Sequence, residues 1–379
     1  MSPPSLRVLH VVLSLEPGGM ENGVVNLTNA LADRGFETHV CCLVRAGDFA
    51  ARLRWPDRVH VLGKPPGFSW RAVLGLARLL TRLRPDVVHT HNLGPLIYAG
   101  LATAWGRRAP ILHGEHSLLS PADLEPRRLR QRRWFYQACR RIHTVSASSR
   151  EELIRLGFPA DKITVALNGV DIERFSPGPR PAARRQIGLP EAATVLGMVG
   201  RFGPYKRHDL AIETFHALAG RHPDLHLLLV GDGGPERDRV RALAAAGPGS
   251  DRIHFTGVQH DLPPFYRAMN LLLVPSTNEG LSNVVLEAMA CATPALTHDL
   301  PGHREVIHDG VDGFIVQLHN AAQWVAVLEK LLADPARLAT LGEAARRTVA
   351  SRFSFGQMLE QYAALYRQVA GRDNARARV

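Results

Sequence analysis

Short apolar segments alternate with longer amphipathic segments along most of this chain, and this alternation constrains the fold more than any other feature. LRVLHVVLSL is followed by GMENGVVNLTNALADRG and then by ETHVCCLV, and further apolar segments follow at PDVVHTH and ILHGEH. Apolar, β-branched runs predict strands, whereas apolar residues at helical spacing predict amphipathic helices. Alternating strands and helices are typical of a parallel sheet with helices on both faces.

One interruption divides this pattern into two halves. VDIERFSPGPRPAARRQIGLP is rich in proline, glycine and charge, and the alternation begins again at TVLGMVG. Because 379 residues exceed what one core usually holds, we expect two domains. We predict an α/β fold with two doubly wound, Rossmann-like domains, residues 1–172 and 173–352, and a C-terminal helix and tail, residues 353–379, that packs back toward the first domain. Ligands of such sheets bind at the carboxyl ends of the strands, here in a cleft between the domains.

Composition narrows the class of protein. Hydrophobic residues make up 45% of the chain and charged residues 21%, as in ordinary globular proteins. No apolar run reaches the ~18 residues of a membrane span. Four cysteines form no C-x-x-C pair, and we interpret them as reduced core residues. These features predict a folded protein of the cytosol.

The formal charge of +11 is concentrated most densely in PRRLRQRRWFYQACRR, residues 126–141. Two interpretations of this run remain open. It is either a solvated helix face, or a patch that binds an anionic membrane or the acceptor, in which case Arg130, Arg132 and Arg133 contribute. No nucleic-acid-binding motif accompanies it, so no nucleic-acid partner is expected.

Two cations follow the strand TVLGMVG. Arg201 and Lys206 stand in RFGPYK, where a strand end leads into a helix, and Lys206 is one of only four lysines among 46 basic residues. Paired cations at a strand end match a diphosphate, although a solvated loop lysine is the simpler alternative.

Two carboxylates stand among small and apolar residues in PSTNEGLSNVVLEAMACATP. Glu279 precedes a predicted helix that Ser282 caps, and Glu287 lies about one turn inside it. A carboxylate in such a segment needs a partner, supplied by the fold or by a ligand. Helix N-termini bind anions, so the phosphates of a ligand would bind at the start of this helix. Glu279 and Glu287 would then contact the same ligand on either side of its phosphates. Gly18 and Gly19 open the first helix similarly, as an anion site or a simple tight turn.

Together these motifs resemble the retaining glycosyltransferases of family 4, which have the GT-B fold. The resemblance runs through EPGGMENG, PDVVHTHN, ILHGEH, VGRFGPYK, VGDGGPE, FTGVQHDL and NEGLSNVVLEAMACATPAL, and therefore covers almost the whole chain. ENGVVNL and HGEH are similar in particular to bacterial exopolysaccharide-associated sugar transferases. One departure is Arg207, which occupies a position where glycine is common in the family.

The resemblance implies a role for each candidate residue. Glu287 would hold the ribose hydroxyls, Glu279 the hydroxyls of the donor sugar, and His116 would be the active-site histidine after its strand. Arg201 and Lys206 would stabilise the leaving diphosphate. The remaining implied contacts with the nucleoside diphosphate come from Gly18, Gly19, Val258, Gly280, Leu281 and Ser282.

The implied reaction moves a sugar from a nucleoside-diphosphate sugar to a glycan or lipid-linked acceptor, with retention and by front-face substitution, in polysaccharide biosynthesis.

Histidines at strand ends, His89, His91, His113 and His116, could bind a metal, but the chain has no Asp-x-Asp, and the cation pair makes a metal unnecessary. We therefore expect no metal and no cofactor. Two alternatives stay open: a nucleotide-sugar epimerase or hydrolase of the GT-B fold, and a non-catalytic sugar-nucleotide-binding subunit. A lipid-linked acceptor would place the protein at the inner face of the membrane.

Overall fold

A computed structural model describes residues 5–317 and 320–371. Within these residues, two units are found: the first contains the chain up to Asn168 and from Gln357 onward, and the second contains Gly169–Gly356. We predicted boundaries at 172 and 352. The segments beside both boundaries pair with each other, because Val170 N–H donates to Phe353 O and Phe355 N–H donates to Val170 O. The predicted tail beyond residue 371 lies outside the described residues.

The first unit contains a parallel sheet of seven described strands in the order β3-β2-β1-β4-β5-β6-β7. Their bounds are β1 Leu6–Val12, β2 Phe36–Cys42, β3 Val59–Val61, β4 Val87–His91, β5 Ile111–Glu115, β6 Cys139–Thr144 and β7 Ile163–Val165. Its helices are α1 Gly19–Ala32, α2 Trp70–Leu83, α3 Leu93–Trp105, α4 Pro126–Ala138, α5 Ala147–Arg155 and, from the end of the chain, α14 Phe355–Val369.

The second unit contains a parallel sheet of six described strands in the order β10-β9-β8-β11-β12-β13. Their bounds are β8 Thr194–Val199, β9 Leu225–Val230, β10 Ile253–Phe255, β11 Leu271–Val274, β12 Ala295–His298 and β13 Phe314–Val316. Its helices are α6 Arg180–Gln186, α7 His208–Ala219, α8 Arg237–Ala245, α9 Pro263–Ala268, α10 Asn283–Ala290, α11 Pro301–Arg304, α12 Ala321–Leu332 and α13 Pro335–Arg352.

Both sheets are doubly wound, which confirms the predicted fold class. In β2, the adjacent Cys41 and Cys42 pack into different cores, one with α2 and α3 and the other with α1. This follows from the alternation of side chains along a strand. All four cysteines are buried and free.

The segment predicted as an interdomain linker is part of the second unit. It includes α6, from which Arg180 and Arg184 donate to the carbonyls of Met269 and Ala268. The proline-rich, charged sequence predicted a linker between the domains. In the structure these two arginines attach the segment to the second unit by hydrogen bonds. Among the described residues, no helix combines the length and the apolar composition that a membrane span requires.

Candidate active site

In each sheet the strand order reverses at one place, and the loops that leave the strands there flank a crevice. In the second unit this switch point lies between β8 and β11. The loops after these two strands are joined by a hydrogen bond from Thr277 N–H to Tyr205 O, 2.8 Å. The predicted cations, Arg201 and Lys206, lie in the loop after β8, and Glu279 lies in the loop after β11.

Lys206 and Glu279 form an ion pair at this switch point. Lys206 Nζ donates to Glu279 Oε1 at 2.5 Å, and the two side chains are 13% and 16% exposed. The fold therefore supplies the partner that Glu279 requires. A ligand would meet a cation and a carboxylate already held in fixed positions.

Glu287 has a different kind of partner. Tyr266, in α9, donates its hydroxyl to Glu287 Oε2 at 2.7 Å, and Glu287 is 8% exposed. Burial, followed by the neighbouring Glu287 carboxylate, raises the pKa of Tyr266 well above its usual value, so the phenol stays protonated and continues to donate.

The amino end of α10 lies between these two carboxylates in the chain. Gly280, Leu281 and Ser282 lead into the helix and are all buried. Ser282 occupies the N-cap position, but its side chain makes no capping hydrogen bond. Ser282 therefore lies at the predicted cap position with the extended backbone of an N-cap residue, but its hydroxyl does not contribute to the cap.

A third loop, which leaves the end of β12, packs closely against the loop before α10. A Cβ atom on Gly302 would lie 1.7 Å from Gly280 O, so only glycine allows α11 to approach so closely. The next residue, His303, is buried, and its Nδ1 lies 2.7 Å from His298 O. His303 Nε2 has no hydrogen-bond partner among the described residues. Burial lowers the pKa of His303, so the ring is neutral at pH 7.

The other predicted residues of this unit lie in the loops that follow β8 and β10. Arg201 is exposed in the loop after β8. Arg207 adopts the left-handed conformation that the family's glycine would favour, with φ 56°, and its Nε donates to Asp209 at 3.0 Å. Val258 follows β10 and is 51% exposed; the preceding Gly257 O accepts from Gly231 N–H, which connects this loop to the end of β9.

The first unit presents histidines at its switch point, between β1 and β4. His91 Nε2 lies 3.1 Å from His10 Nδ1, and His91 Nδ1 lies 2.9 Å from His116 Nε2. Burial lowers the pKa of His10 to about 3 and that of His116 to about 4, and it lowers the pKa of His91 well below its usual value. The three rings are therefore neutral at pH 7.

The protons of this histidine chain can be assigned from its far end. His10 Nε2 has no hydrogen-bond partner among the described residues. An unpaired lone pair is tolerated better than an unpaired buried N–H, so His10 carries its proton on Nδ1 and donates to His91. His91 then donates from Nδ1 to His116 Nε2. As a result, His116 keeps its own proton on Nδ1 and presents it as a donor.

Glu115 alternates to the other face of β5, as the strand periodicity predicted. The Arg132 guanidinium donates a hydrogen bond to Glu115 Oε1 at 3.0 Å, and the Tyr136 hydroxyl donates to the same oxygen at 2.6 Å. Burial alone would raise the pKa of Glu115, but His113 and Arg132 lower it to about 2. Arg132 is only 2% exposed. The prediction that Arg132 belongs to an exposed basic patch was therefore wrong, because the ion pair with Glu115 holds it inside the unit.

The nitrogens of His10, His89 and His91 lie within 4.8 Å of one another, the one such potential metal-ligand group found among the described residues. His89 Nδ1 lies 2.8 Å from the Tyr366 hydroxyl, and His89 Nε2 lies 2.8 Å from His143 Nε2. These rings already hydrogen-bond within the protein, so an ion would displace those bonds.

Gly18 and Gly19 lie where α1 begins, as predicted, with Gly18 at the N-cap. A Cβ on Gly18 would meet Glu21 Oε2 at 2.3 Å. The chain's own carboxylate therefore already faces this helix terminus, where it interacts favourably with the helix dipole.

Sequence reasoning missed four residues of these clusters: His10, His143, Tyr266 and His303. A single signal could have found the two strand histidines, since LHVV and RIHTV each place a histidine inside an apolar strand. Nothing in the local pattern marks Tyr266 or His303, because their importance depends on contacts with α10 and the loop before it.

Two family models match the chain: "Glycosyltransferase Family 4" over residues 17–174 and "Glycosyl transferases group 1" over residues 179–348. A D-inositol 3-phosphate glycosyltransferase of Thermobispora bispora is 31% identical, over 94% of this chain and 91% of the relative. The enzyme of the same name from Actinosynnema mirum is 32% identical, over 93% of both chains.

Solved structures share the fold. The Anabaena protein HepE, crystallised in complex with UDP-glucose, superimposes with a TM-score of 0.85 at 22% identity, over 96% of this chain and 100% of that one. Sucrose-phosphate synthase of Thermosynechococcus elongatus gives 0.84 at 22% identity, over 97% and 99%. The chain is therefore a glycosyltransferase of family 4, with the two-domain GT-B fold.

Proposed function

We propose that this enzyme transfers a sugar, with retention of configuration and without a metal, from a nucleoside-diphosphate sugar to a glycan or lipid-linked acceptor in polysaccharide biosynthesis. The observation that carries the proposal is the arrangement around α10, where the Lys206–Glu279 pair precedes the helix and Glu287 lies inside it. A cation, a helix N-terminus and two carboxylates match a ligand with a diphosphate between two polyols.

Uracil is the first base to test. HepE was crystallised with UDP and with UDP-glucose, and it shares the fold of this chain. In the proposal, Glu287 accepts from the ribose hydroxyls, Val258 lies against the base, and Glu279 accepts from hydroxyls of the sugar. Gly280, Leu281 and Ser282 supply backbone amides to the diphosphate, with Gly18 and Gly19 as a second source.

The proposed chemistry is front-face substitution. The bond from the sugar's anomeric carbon to the diphosphate oxygen breaks, that oxygen takes the acceptor's proton, and the acceptor bonds to the same face of the sugar. Charge develops on the diphosphate, and Lys206 and Arg201 stabilise it. His116 presents its Nδ1 proton to an oxygen of the donor sugar.

The acceptor has a second candidate. Relatives at 31% and 32% identity are named D-inositol 3-phosphate glycosyltransferases, which favours a phosphorylated polyol. The proposed glycan or lipid-linked acceptor and the inositol phosphate make different products, so one assay with both separates them. A lipid-linked acceptor would bring the enzyme from the cytosol to an anionic membrane surface.

The test is incubation of the purified enzyme with a panel of nucleotide sugars, with each acceptor and with none, followed by mass spectrometry. We expect acceptor-dependent release of a nucleoside diphosphate that continues in excess EDTA, and nuclear magnetic resonance of the product should show the donor's anomeric configuration. Release without any acceptor would indicate a hydrolase or epimerase. Loss of activity in EDTA that magnesium or manganese restores would contradict the metal-free mechanism.

A further inference from the structure

The surface of the first unit carries a patch of exposed aromatic rings. Phe68, Trp70 and Trp105 are 52%, 51% and 66% exposed. The rings of Trp70 and Trp105 stack with centroids 5.5 Å apart, and Phe68 packs edge-on against Trp70 at 5.1 Å. Single exposed apolar residues are ordinary, but three touching rings that each expose half or more of their surface indicate a binding surface.

Unpaired cations accompany these rings. Arg71 follows Trp70 in α2, and Arg107 and Arg108 follow Trp105 at the end of α3; all three arginines are exposed. They form no ion pair among the described residues. Between residues 58 and 114 the chain has eight lysines and arginines and a single acidic residue, Asp86. The three arginines therefore carry positive charge that no ion pair with a carboxylate offsets among the described residues.

We propose that this aromatic–arginine face, defined by Phe68, Trp70, Trp105, Arg71, Arg107 and Arg108, binds the surface of an anionic phospholipid bilayer. Tryptophan favours the headgroup level of a bilayer, since its ring is apolar and its N–H is polar. Each arginine near an anionic surface adds attraction worth about a fivefold change in affinity. The two features together match a negatively charged interface with an apolar layer beneath it.

The Arg-rich helix α4 offers a matched control. Its Trp134 is 63% exposed, comparable to Trp105. However, Arg132 is held by Glu115 and Asp123. Acidic Asp123 and Glu125 also lie at its amino end, which weakens attraction to anionic lipid. The face on α2 and α3 lacks such carboxylates, so the structure favours it over α4.

The test is co-sedimentation of the full chain with vesicles of phosphatidylcholine alone or with about one-third phosphatidylglycerol. The variants are Trp70→Ser with Trp105→Ser, and Arg71→Gln with Arg107→Gln and Arg108→Gln. The controls are Trp134→Ser, and Arg127→Gln with Arg128→Gln and Arg130→Gln on α4. We expect the wild type to bind the anionic vesicles, with a roughly hundredfold loss for the triple arginine variant. The tryptophan variant should lose about tenfold.

Several outcomes would overturn the proposal: no binding of the wild type to anionic vesicles, equal binding by all variants, or losses confined to the α4 controls. Another outcome would also overturn it: in sedimentation velocity the wild type is a dimer and the tryptophan variant is a monomer that binds vesicles normally. The face would then join two copies of the chain. Circular dichroism and UDP calorimetry on every variant check folding and the nucleotide site separately. A protein that binds vesicles but no nucleotide would keep this proposal and refute the proposed function.

Discussion

At the switch point of the first sheet, His10 in β1 and His91 in β4 are neutral rings that hydrogen-bond to each other inside the unit. At the switch point of the second sheet, Lys206 after β8 and Glu279 after β11 form an ion pair that is partly open to solvent. Both sheets have the same order reversal, but one buries polar groups without charge and the other holds charge near the surface.

Desolvation explains this difference. Removing an ion from water costs several kcal/mol, so the buried histidines of the first switch point stay neutral and act as directional hydrogen-bond donors and acceptors. Lys206 and Glu279 remain partly solvated, and their ion pair holds both side chains in place. The first arrangement suits the orientation of a ring, and the second suits the binding of a charged ligand.

Low pH should have the largest effect, because it destabilises the neutral histidines of the first switch point. A histidine that is neutral when folded and has a pKa near 6.5 when unfolded takes up a proton on unfolding, so the free energy of unfolding falls as pH drops below about 6.5. For His10 the loss continues down to its folded pKa of about 3. At pH 5.5 each such histidine lowers the free energy of unfolding by about 1.4 kcal/mol. The effect is the largest because five buried histidines of the first unit contribute to it: His10, His89, His91, His116 and His143.

Urea denaturation at pH 7.5 and 5.5 measures this loss. Other buried histidines, such as His208 in the second unit, contribute to it. The variant His10→Asn isolates one ring of the first switch point, because it removes the titrating group and should reduce the pH-dependent loss by about 1.4 kcal/mol. A pH dependence identical to that of the wild type would mean that His10 is not held neutral.

Removing the cation of the second switch point should have the next largest effect. Lys206→Ala should lower kcat about 10²- to 10³-fold with a smaller change in donor KM, because in the proposed mechanism charge on the leaving diphosphate grows in the transition state. Lys330→Ala is the matched control, since Lys330 is exposed in α12. Steady-state kinetics in which both variants transfer sugar equally would remove Lys206 from the mechanism.

The smallest expected effect concerns the support of Glu287. Tyr266→Phe deletes one hydrogen bond to a buried carboxylate, which should cost about 1.5 to 3 kcal/mol of stability. It should also weaken nucleotide binding severalfold, because the carboxylate is no longer held in one orientation. Thermal unfolding and calorimetry measure the two effects. A stable variant with unchanged affinity would show that Tyr266 does not orient Glu287.

The sequence predicted the architecture well and the partners of the site residues poorly. Strand and helix periodicity is local, so both sheets and the start of α10 could be read from it. The Lys206–Glu279 pair joins residues 73 apart, and Arg132–Glu115 joins two residues that were interpreted separately. Such pairs depend on which strands become neighbours, and periodicity carries no information about that. The histidine chain was missed for the same reason, since His10 and His91 meet only when β1 pairs with β4.

In the proposed function, the two carboxylates beside α10 contact different ends of one nucleotide sugar. Calorimetry with UDP on Glu287→Gln and Glu279→Gln, together with transfer rates for both variants, tests it. We predict that Glu287→Gln weakens UDP binding about ten- to hundredfold, whereas Glu279→Gln binds UDP as the wild type does and transfers sugar more slowly. Wild-type transfer by Glu279→Gln, or undiminished UDP affinity in a folded Glu287→Gln, would show that the two carboxylates do not divide the ligand in this way.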